Sequence, residues 1–314
     1  YTTLFRSIDH LNFKIEKGQV YGFLGPNGAG KSTTMNIMTG YLGATEGEVL
    51  IDGHDILKEP QEAKKHIGYL PEIPPLYVDM QVMEYLEFAA ELKGIPKQQR
   101  VSAIDEVIQM AKLEDVKLRL IRNLSKGYRQ RVGLAQAILG FPEIIILDEP
   151  TVGLDPKQII EIRELIRELA KKHTVILSSH ILAEIREVCD YILIISKGKL
   201  VASDTPDRLE EKMSRTETVE ILAKASAAEV RAILLNVEHI SNIHTQERAD
   251  KTCSARIQTE GGCDIREALF FAFAKNECPL LELQTSRISL EEVFLELTQN
   301  DAVGEEERTN AGNL

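Results

Sequence analysis

Residues 25–32 read GPNGAGKS, three glycines, a lysine and a serine set between an apolar stretch, VYGFLG, and a stretch of helical spacing, KSTTMNIMTGYL. Gly25, Gly28 and Gly30 let successive backbone N–H groups turn inward around an anion without Cβ clashes. The helix that follows adds the partial positive charge of its N-terminus. Lys31 then offers a cation to the outer phosphates of a polyphosphate, and Ser32 a hydroxyl to Mg²⁺. The pattern G-x-x-x-x-G-K-[ST] between strand and helix is that of a phosphate-binding loop.

IIILDE (144–149) is the chemical complement of that loop. A carboxylate at the end of a buried strand beside bound phosphates can hold Mg²⁺, and Asp148 is the candidate. Glu149 is then placed to polarise an attacking water, work worth about 10²–10⁴ in rate. His180 ends the strand VILSSH, where ligand sites gather at the carboxyl ends of a parallel sheet. LSKGYRQ (124–130) has the small residues of an anion-binding turn, chiefly Ser125 and Gly127, but no anion site in its own neighbourhood.

These residues need strands and helices to carry them. LNFKIEKGQ alternates and predicts a strand entering a turn at Lys17-Gly18; GEVLIDG predicts a hairpin strand closed by Asp52-Gly53. HIGYLPE predicts a strand before the breaker-rich EIPPLY. VMEYLEFAAELKG and VSAIDEVIQMAKL predict two amphipathic helices within 80–120, and KQIIEIRELIRELAKK a third. PEIIILDEP is continuously apolar, as an interior strand of a parallel sheet should be. HTVILSSH and YILIISKGKL each predict a strand, with a helix between them. Strands alternating with helices make this an α/β domain with a largely parallel sheet.

The composition shifts after Asp204-Thr-Pro-Asp. From Val219 the reading is βαββαβ, the ferredoxin-like plan, with capping boxes at Ser226–Glu229 and Asp264–Glu267. A last helix, SLEEVFLELTQ, carries its own box at Ser289 and Glu292. The expected organisation is an ATPase-type core over 8–215, an accessory domain over 218–299 and a disordered polar tail over 300–314. Residues 1–7, YTTLFRS, read as a non-native scar.

At 314 residues, 43% apolar and 27% charged, the chain can build a sizeable core. A formal charge of −12 argues against nucleic acid as a partner. The cysteines Cys189, Cys253, Cys263 and Cys278 show no metal-type spacing and read as reduced thiols. No apolar run reaches the ~18 residues of a membrane span, and no secretory signal is visible.

The phosphate loop, LSKGYRQ, ILDEPTVGLDP and SSH, in this order and at these spacings, resemble the ATP-binding subunit of ATP-binding cassette (ABC) transporters. The match covers nearly the whole chain; a kinase or GTPase would share the first and third motifs but not the second. The resemblance implies a P-loop core of RecA-like type with an antiparallel β subdomain and a helical subdomain, followed by the small α+β ferredoxin-like domain. It implies ATP and Mg²⁺ as cofactors, with ATP held by Gly25, Pro26, Asn27, Gly28, Ala29, Gly30, Lys31, Ser32 and Thr33. Ser32 and Asp148 would ligand the metal, joined by Glu72, which stands where the family usually has glutamine. Glu149 resembles the catalytic base and His180 the switch residue at the γ-phosphate.

LSKGYRQ resembles the family's signature loop, usually LSGGQ, which reaches ATP bound on the other subunit of a head-to-tail dimer. Ser125 and Gly127 would make that contact in trans, and Asp155 in GLDP would join the two sites. Lys126 and Tyr128 depart from the signature, while the serine and second glycine remain. The stretch from Ile8 through PPLY to LEEVFLEL most resembles the branch serving separately encoded, exporter-type (ABC-2-like) permeases. The implied partners are a second nucleotide-binding subunit, identical or paralogous, and an integral membrane permease, with the chain peripheral on the cytoplasmic face of the plasma membrane. The adenine-stacking aromatic falls near Tyr1 and Phe5 and is not assigned. A soluble, non-transport cassette ATPase is the alternative. For the C-terminal domain, dimer stabilisation, regulation and small-molecule sensing all stay open.

Overall fold

Apolar runs bounded by turn residues become strands buried on both faces. The computed structural model describes residues 7–213, 218–248, 252–259, 263–286 and 294. Its chain separates into two compact units, Tyr1–Asp204 and Thr205–Leu314. In the first, β1 (Val20–Leu24) is buried at every residue and runs through the glycine loop into α1 (Lys31–Met38). β2 (Leu50–Ile51) and β3 (His54–Asp55) pair as a small antiparallel ribbon turning at Asp52-Gly53, both at positive φ. α2 (Pro60–Lys65) leads into β4 (Ile67–Leu70). α3 (Val82–Leu92), α4 (Lys97–Met110) and α5 (Lys126–Ile138) pack on one another as a helical region. β5 (Ile144–Leu147), α6 (Pro156–Ala170), β6 (Thr174–Ser179), α7 (Leu182–Val188), β7 (Tyr191–Ser196) and β8 (Lys199–Asp204) complete this unit.

The main sheet runs β4-β5-β6-β1-β7-β8, parallel except for β8 at its edge. The loops after β1, β5 and β6 therefore open at one edge, where the carboxyl ends of three adjacent strands meet. Phe23, Met35, Ile146, Ile176 and Ile195 are among the side chains that fill the core on one side of this sheet.

Several expectations need correction. Residues 11–16 form no strand, although Leu11, Phe13 and Ile15 do pack against that core. YILIISKGKL is a hairpin rather than one strand: Lys197 and Gly198, at φ 46° and 78°, turn β7 back into β8. α1 ends at Met38, short of the expected Leu42, and α4 starts four residues before Val101. α2 was not anticipated.

The second unit begins with α8 (Pro206–Met213), also unanticipated, followed by β9 (Thr218–Ala223), α9 (Ala227–Leu234), β10 (Ile240–Glu247), β11 (Cys253–Thr259), α10 (Arg266–Lys275) and β12 (Leu280–Ser286). The sheet order β10-β11-β9-β12, antiparallel throughout, is the ferredoxin-like arrangement. Alternate residues Val219, Ile221, Ala255 and Ile257 face Val230, Leu234, Leu269 and Phe273 of the two helices. Ser226 forms its box with Glu229. Asp264 does not form one with Glu267: its carboxylate is taken by the Arg266 side chain and backbone, which hold its pKa down to about 2. The box at Ser289–Glu292, Tyr1, Phe5 and the 300–314 tail lie outside the described residues. Among those described, no helix is long and apolar enough to cross a membrane.

Candidate functional site

The loop between β1 and α1 leaves little choice of residue. Gly28 and Gly30 adopt φ 80° and 106°, a region that favours glycine. A Cβ on Gly25 would lie 2.4 Å from the Ile195 carbonyl oxygen of β7. The loop folds around Lys31, whose side chain is 6% exposed. Its Nζ donates to the carbonyls of Gly25 at 2.8 Å and Pro26 at 3.3 Å, and stands 3.4 Å from Glu149 Oε1. Ser32 Oγ donates to Asp148 Oδ1 at 3.2 Å.

Parallel pairing of Leu147 with Leu177 sets the ends of β5 and β6 side by side. Ser178, fully buried, donates its hydroxyl to Asp148 Oδ1 at 2.6 Å and accepts from the Glu149 N–H at 2.8 Å. Glu149 sits in the left-handed region, φ 47°, an uncommon place for a residue with a side chain. Its Oε2 lies 3.0 Å from His180 Nδ1. The resulting cavity, about 480 Å³, is lined by Asn27, Gly28, Gly30, Lys31, Ser32 and Thr33, and by Glu72, Glu149 and His180. Six residues of the loop, Glu149 after β5, Glu72 and the histidine after β6 thus converge on one opening, with Asp148 bonded to Ser32 behind it.

Ser125, Gly127 and Asp155 do not line it. They form a second cluster in the same unit. Ser125 is the N-cap of α5, accepting from the Tyr128 N–H at 3.4 Å, and Asp155 is the N-cap of α6 in a capping box with Gln158. The two helix starts touch: a Cβ on Gly127 would lie 2.5 Å from the Gln158 side chain. Tyr128, the departure from the signature, donates to Asp115 Oδ2 at 2.7 Å and packs its ring under the Arg131 guanidinium. Arg131 also pairs with Glu161 of α6.

Sequence reasoning missed several participants. Ser178 and Ser179 are the two hydroxyls that interrupt the apolar run of β6, and that interruption was the available signal. Ser179 donates to the buried Glu184 carboxylate at 3.1 Å, and Thr151 donates to the same oxygen at 2.6 Å. Gln158 had no signal beyond its place three residues after Asp155. A separate group, Asp52, His66 and Glu143, is an ion-pair cluster in which the Lys17 ammonium already sits 2.8 Å and 3.0 Å from the two carboxylates.

The Ser32 hydroxyl and Asp148 carboxylate bring two hard oxygens together beside the phosphate loop, and Glu72 opens on the same cavity. Oxygen donors of this kind, with room left for waters and phosphate oxygens, suit Mg²⁺.

Comparison with known proteins identifies the family. The family model described as "ABC transporter" matches residues 8–152. The chain is 35% identical over 301 residues to the bacitracin transport ATP-binding protein BcrA of Bacillus licheniformis, covering 95% of this chain and 94% of the relative. It is 44% identical over 214 residues to the ABC transporter ATP-binding protein YhcH of Bacillus subtilis, covering 67% and 68%. Among solved structures, the dimeric post-hydrolysis state of the ATP-binding cassette MJ0796 bound to ADP and Pi aligns with a TM-score of 0.59 at 28% identity. That alignment covers 63% of this chain and 90% of that one.

Proposed function

The chain belongs to the ABC transporter family as an ATP-binding subunit, and from that premise we propose how its own residues carry out the ATPase cycle. The enzyme hydrolyses ATP to drive transport. The observation that carries the assignment of residues is the convergence of Lys31, Ser32, Glu72, Glu149 and His180 on one cavity, with Asp148 bonded to Ser32 behind them.

The backbone N–H groups of residues 27–33 enclose the phosphates. Lys31 exchanges its carbonyl partners at Gly25 and Pro26 for phosphate oxygens, a stronger charge-assisted bond. Ser32 and Asp148, with Glu72 nearby, would hold Mg²⁺, which supplies positive charge to the β- and γ-phosphates. Glu149 accepts the proton of the water whose oxygen bonds to γ-phosphorus, while the bond from that phosphorus to the bridging oxygen breaks toward ADP. His180, 3.0 Å from Glu149, orients this carboxylate and reaches the γ-phosphate. In the empty site Lys31 Nζ stands 3.4 Å from the other carboxylate oxygen of Glu149.

A second subunit, identical or paralogous, contributes Ser125 and Gly127 to the γ-phosphate in trans, and Asp155 joins the two sites. That Ser125 and Gly127 lie off the cavity of their own chain supports this reading. The MJ0796 cassette, dimeric with ADP and Pi, supports the same assembly. ATP binds the closed dimer better than ADP does, so hydrolysis shifts the population toward separation. That shift moves an integral membrane permease in the direction of export, with this subunit peripheral on the cytoplasmic face of the plasma membrane. Residues 8–215 act as the ATPase domain and 218–299 as an accessory domain.

The test is size-exclusion chromatography with light scattering on purified Glu149→Gln, with and without Mg-ATP. The expected result is a monomer that dimerises only with ATP and loses that response when Ser125 is replaced by a bulky residue. A dimer that forms with ATP whatever stands at 125 would refute the trans role. Glu149→Gln that hydrolyses ATP at the wild-type rate would refute the catalytic assignment.

A further inference from the structure

We propose that Ser178 is a positioning residue of the hydrolytic site, holding Asp148 and Glu149 in the relation that hydrolysis requires. This rests on the reading of Asp148 and Glu149 given above.

Ser178 has no exposed surface and a single hydroxyl, and both capacities of that hydroxyl go to the two candidate catalytic carboxylate residues. Its proton goes to Asp148 Oδ1 at 2.6 Å, a short bond as expected for a carboxylate acceptor. Its lone pair takes the Glu149 N–H at 2.8 Å. The second bond matters because Glu149 occupies a left-handed conformation, φ 47°, that a non-glycine residue adopts at a cost. A buried N–H without a partner would add to that cost. The same Asp148 oxygen also receives Ser32 Oγ at 3.2 Å. One hydroxyl on β6 therefore ties the phosphate loop's serine, the carboxylate beside it and the backbone of the base into one frame.

The frame has a direction. Ser178 and His180 lie two residues apart, so along an extended chain they face the same way, and both meet the 148–149 pair. Ser179 faces the other way, onto Glu184. Ser178 thus fixes Glu149 through its backbone and His180 meets it through its carboxylate, which leaves the base little freedom to swing from the attacking water. Misplacement of a reacting group by about 1 Å can cost on the order of 100-fold in rate.

The experiment compares Ser178→Ala, Ser178→Thr and Ser178→Val in the full chain. The readouts are kcat, KM for ATP, affinity for a fluorescent ATP analogue in EDTA, and melting temperature. Threonine keeps the hydroxyl and valine replaces it with a methyl at equal volume, so that pair isolates the hydroxyl even if alanine fails to fold. The expected result is a kcat lower by about 10–100-fold in Ala and Val, analogue affinity in EDTA close to that of wild type, and Thr restoring kcat. Valine turning over as fast as threonine overturns the proposal. So does a loss in which kcat falls only in step with analogue binding and melting temperature. Glu149→Gln run alongside separates the two levels: if it retains wild-type kcat, the catalytic reading itself fails. If it is inactive while Ser178→Ala and Ser178→Val are fully active, only the positioning role fails.

Discussion

Gly68→Ala should destabilise the first unit far more than its one methyl group suggests. Gly68 lies in β4, and a Cβ there would stand 2.2 Å from the Ala137 carbonyl oxygen and 2.8 Å from Pro142 Cγ. Ordinary contact begins near 3.4 Å, so the deficit is about 1.2 Å. The obstacle is backbone of α5, so no rotamer change relieves it. The same carbonyl accepts from Lys93 Nζ at 3.0 Å, which also resists its displacement. Overpacking of this kind costs about 1–3 kcal/mol, and a backbone obstacle puts Gly68 toward the upper half. For a domain of this size about 2–3 kcal/mol lowers the melting temperature by roughly 4–12 °C. The assay is calorimetry of wild type, Gly68→Ala and a control, Gly43→Ala, which meets nothing within 4 Å. The control should melt within about 2 °C of wild type. Affinity for an ATP analogue should hold within about twofold, because the phosphate loop hangs on β1 and α1, with two strands between β1 and β4. A fall of under about 1 °C in Gly68→Ala would refute the close approach of β4 to α5.

Two further predictions follow from the site and the core. Glu72 shares the cavity with Glu149 and Lys31, so Glu72→Gln removes one carboxylate from its lining. Free ATP measured in EDTA should then bind about fivefold tighter, about 1 kcal/mol for one charge in a half-wet cleft. Mg-ATP should change less, and unchanged or weaker binding of free ATP would count against the electrostatic reading. Among the cysteines, Cys263 is exposed while Cys189 is buried, its thiol pKa pushed up by burial and by Asp190. A disulfide reagent should label Cys263 rapidly in the native protein and reach Cys189 only on unfolding. Equal rates at the two would contradict the packing of α7 on β1.

The residues of the phosphate loop, the carboxylates after β5 and the histidine after β6 were legible because each is written in a contiguous string: glycines around a lysine, an apolar run ending in Asp-Glu, another ending in histidine. What failed to read correctly was pairing. Residues 11–16 alternate because Leu11, Phe13 and Ile15 pack on the core, and alternation reports burial, not a hydrogen-bonded partner. YILIISKGKL is continuous in hydropathy, and only the Lys197-Gly198 pair, with both φ positive, marks the turn inside it. The expected box at Asp264 lost to Arg266, a cation two residues away that a pattern of position and type does not weigh.

Ser178 was illegible for a deeper reason. Its partners lie thirty residues upstream, and they become neighbours only because β5 and β6 pair in parallel with Leu147 opposite Leu177. A slip of one residue in that register would turn Ser178 and His180 away from Asp148 and Glu149 and bring Ser179 toward them. The hydroxyls would survive such a slip, but the frame around the base would not. The apolar runs IIIL and TVIL, which read as mere core, hold the register. Chemistry at the strand ends is therefore specified by packing in the strand interiors, and the residues proposed for hydrolysis depend on the apolar side chains that hold β5 and β6 in register.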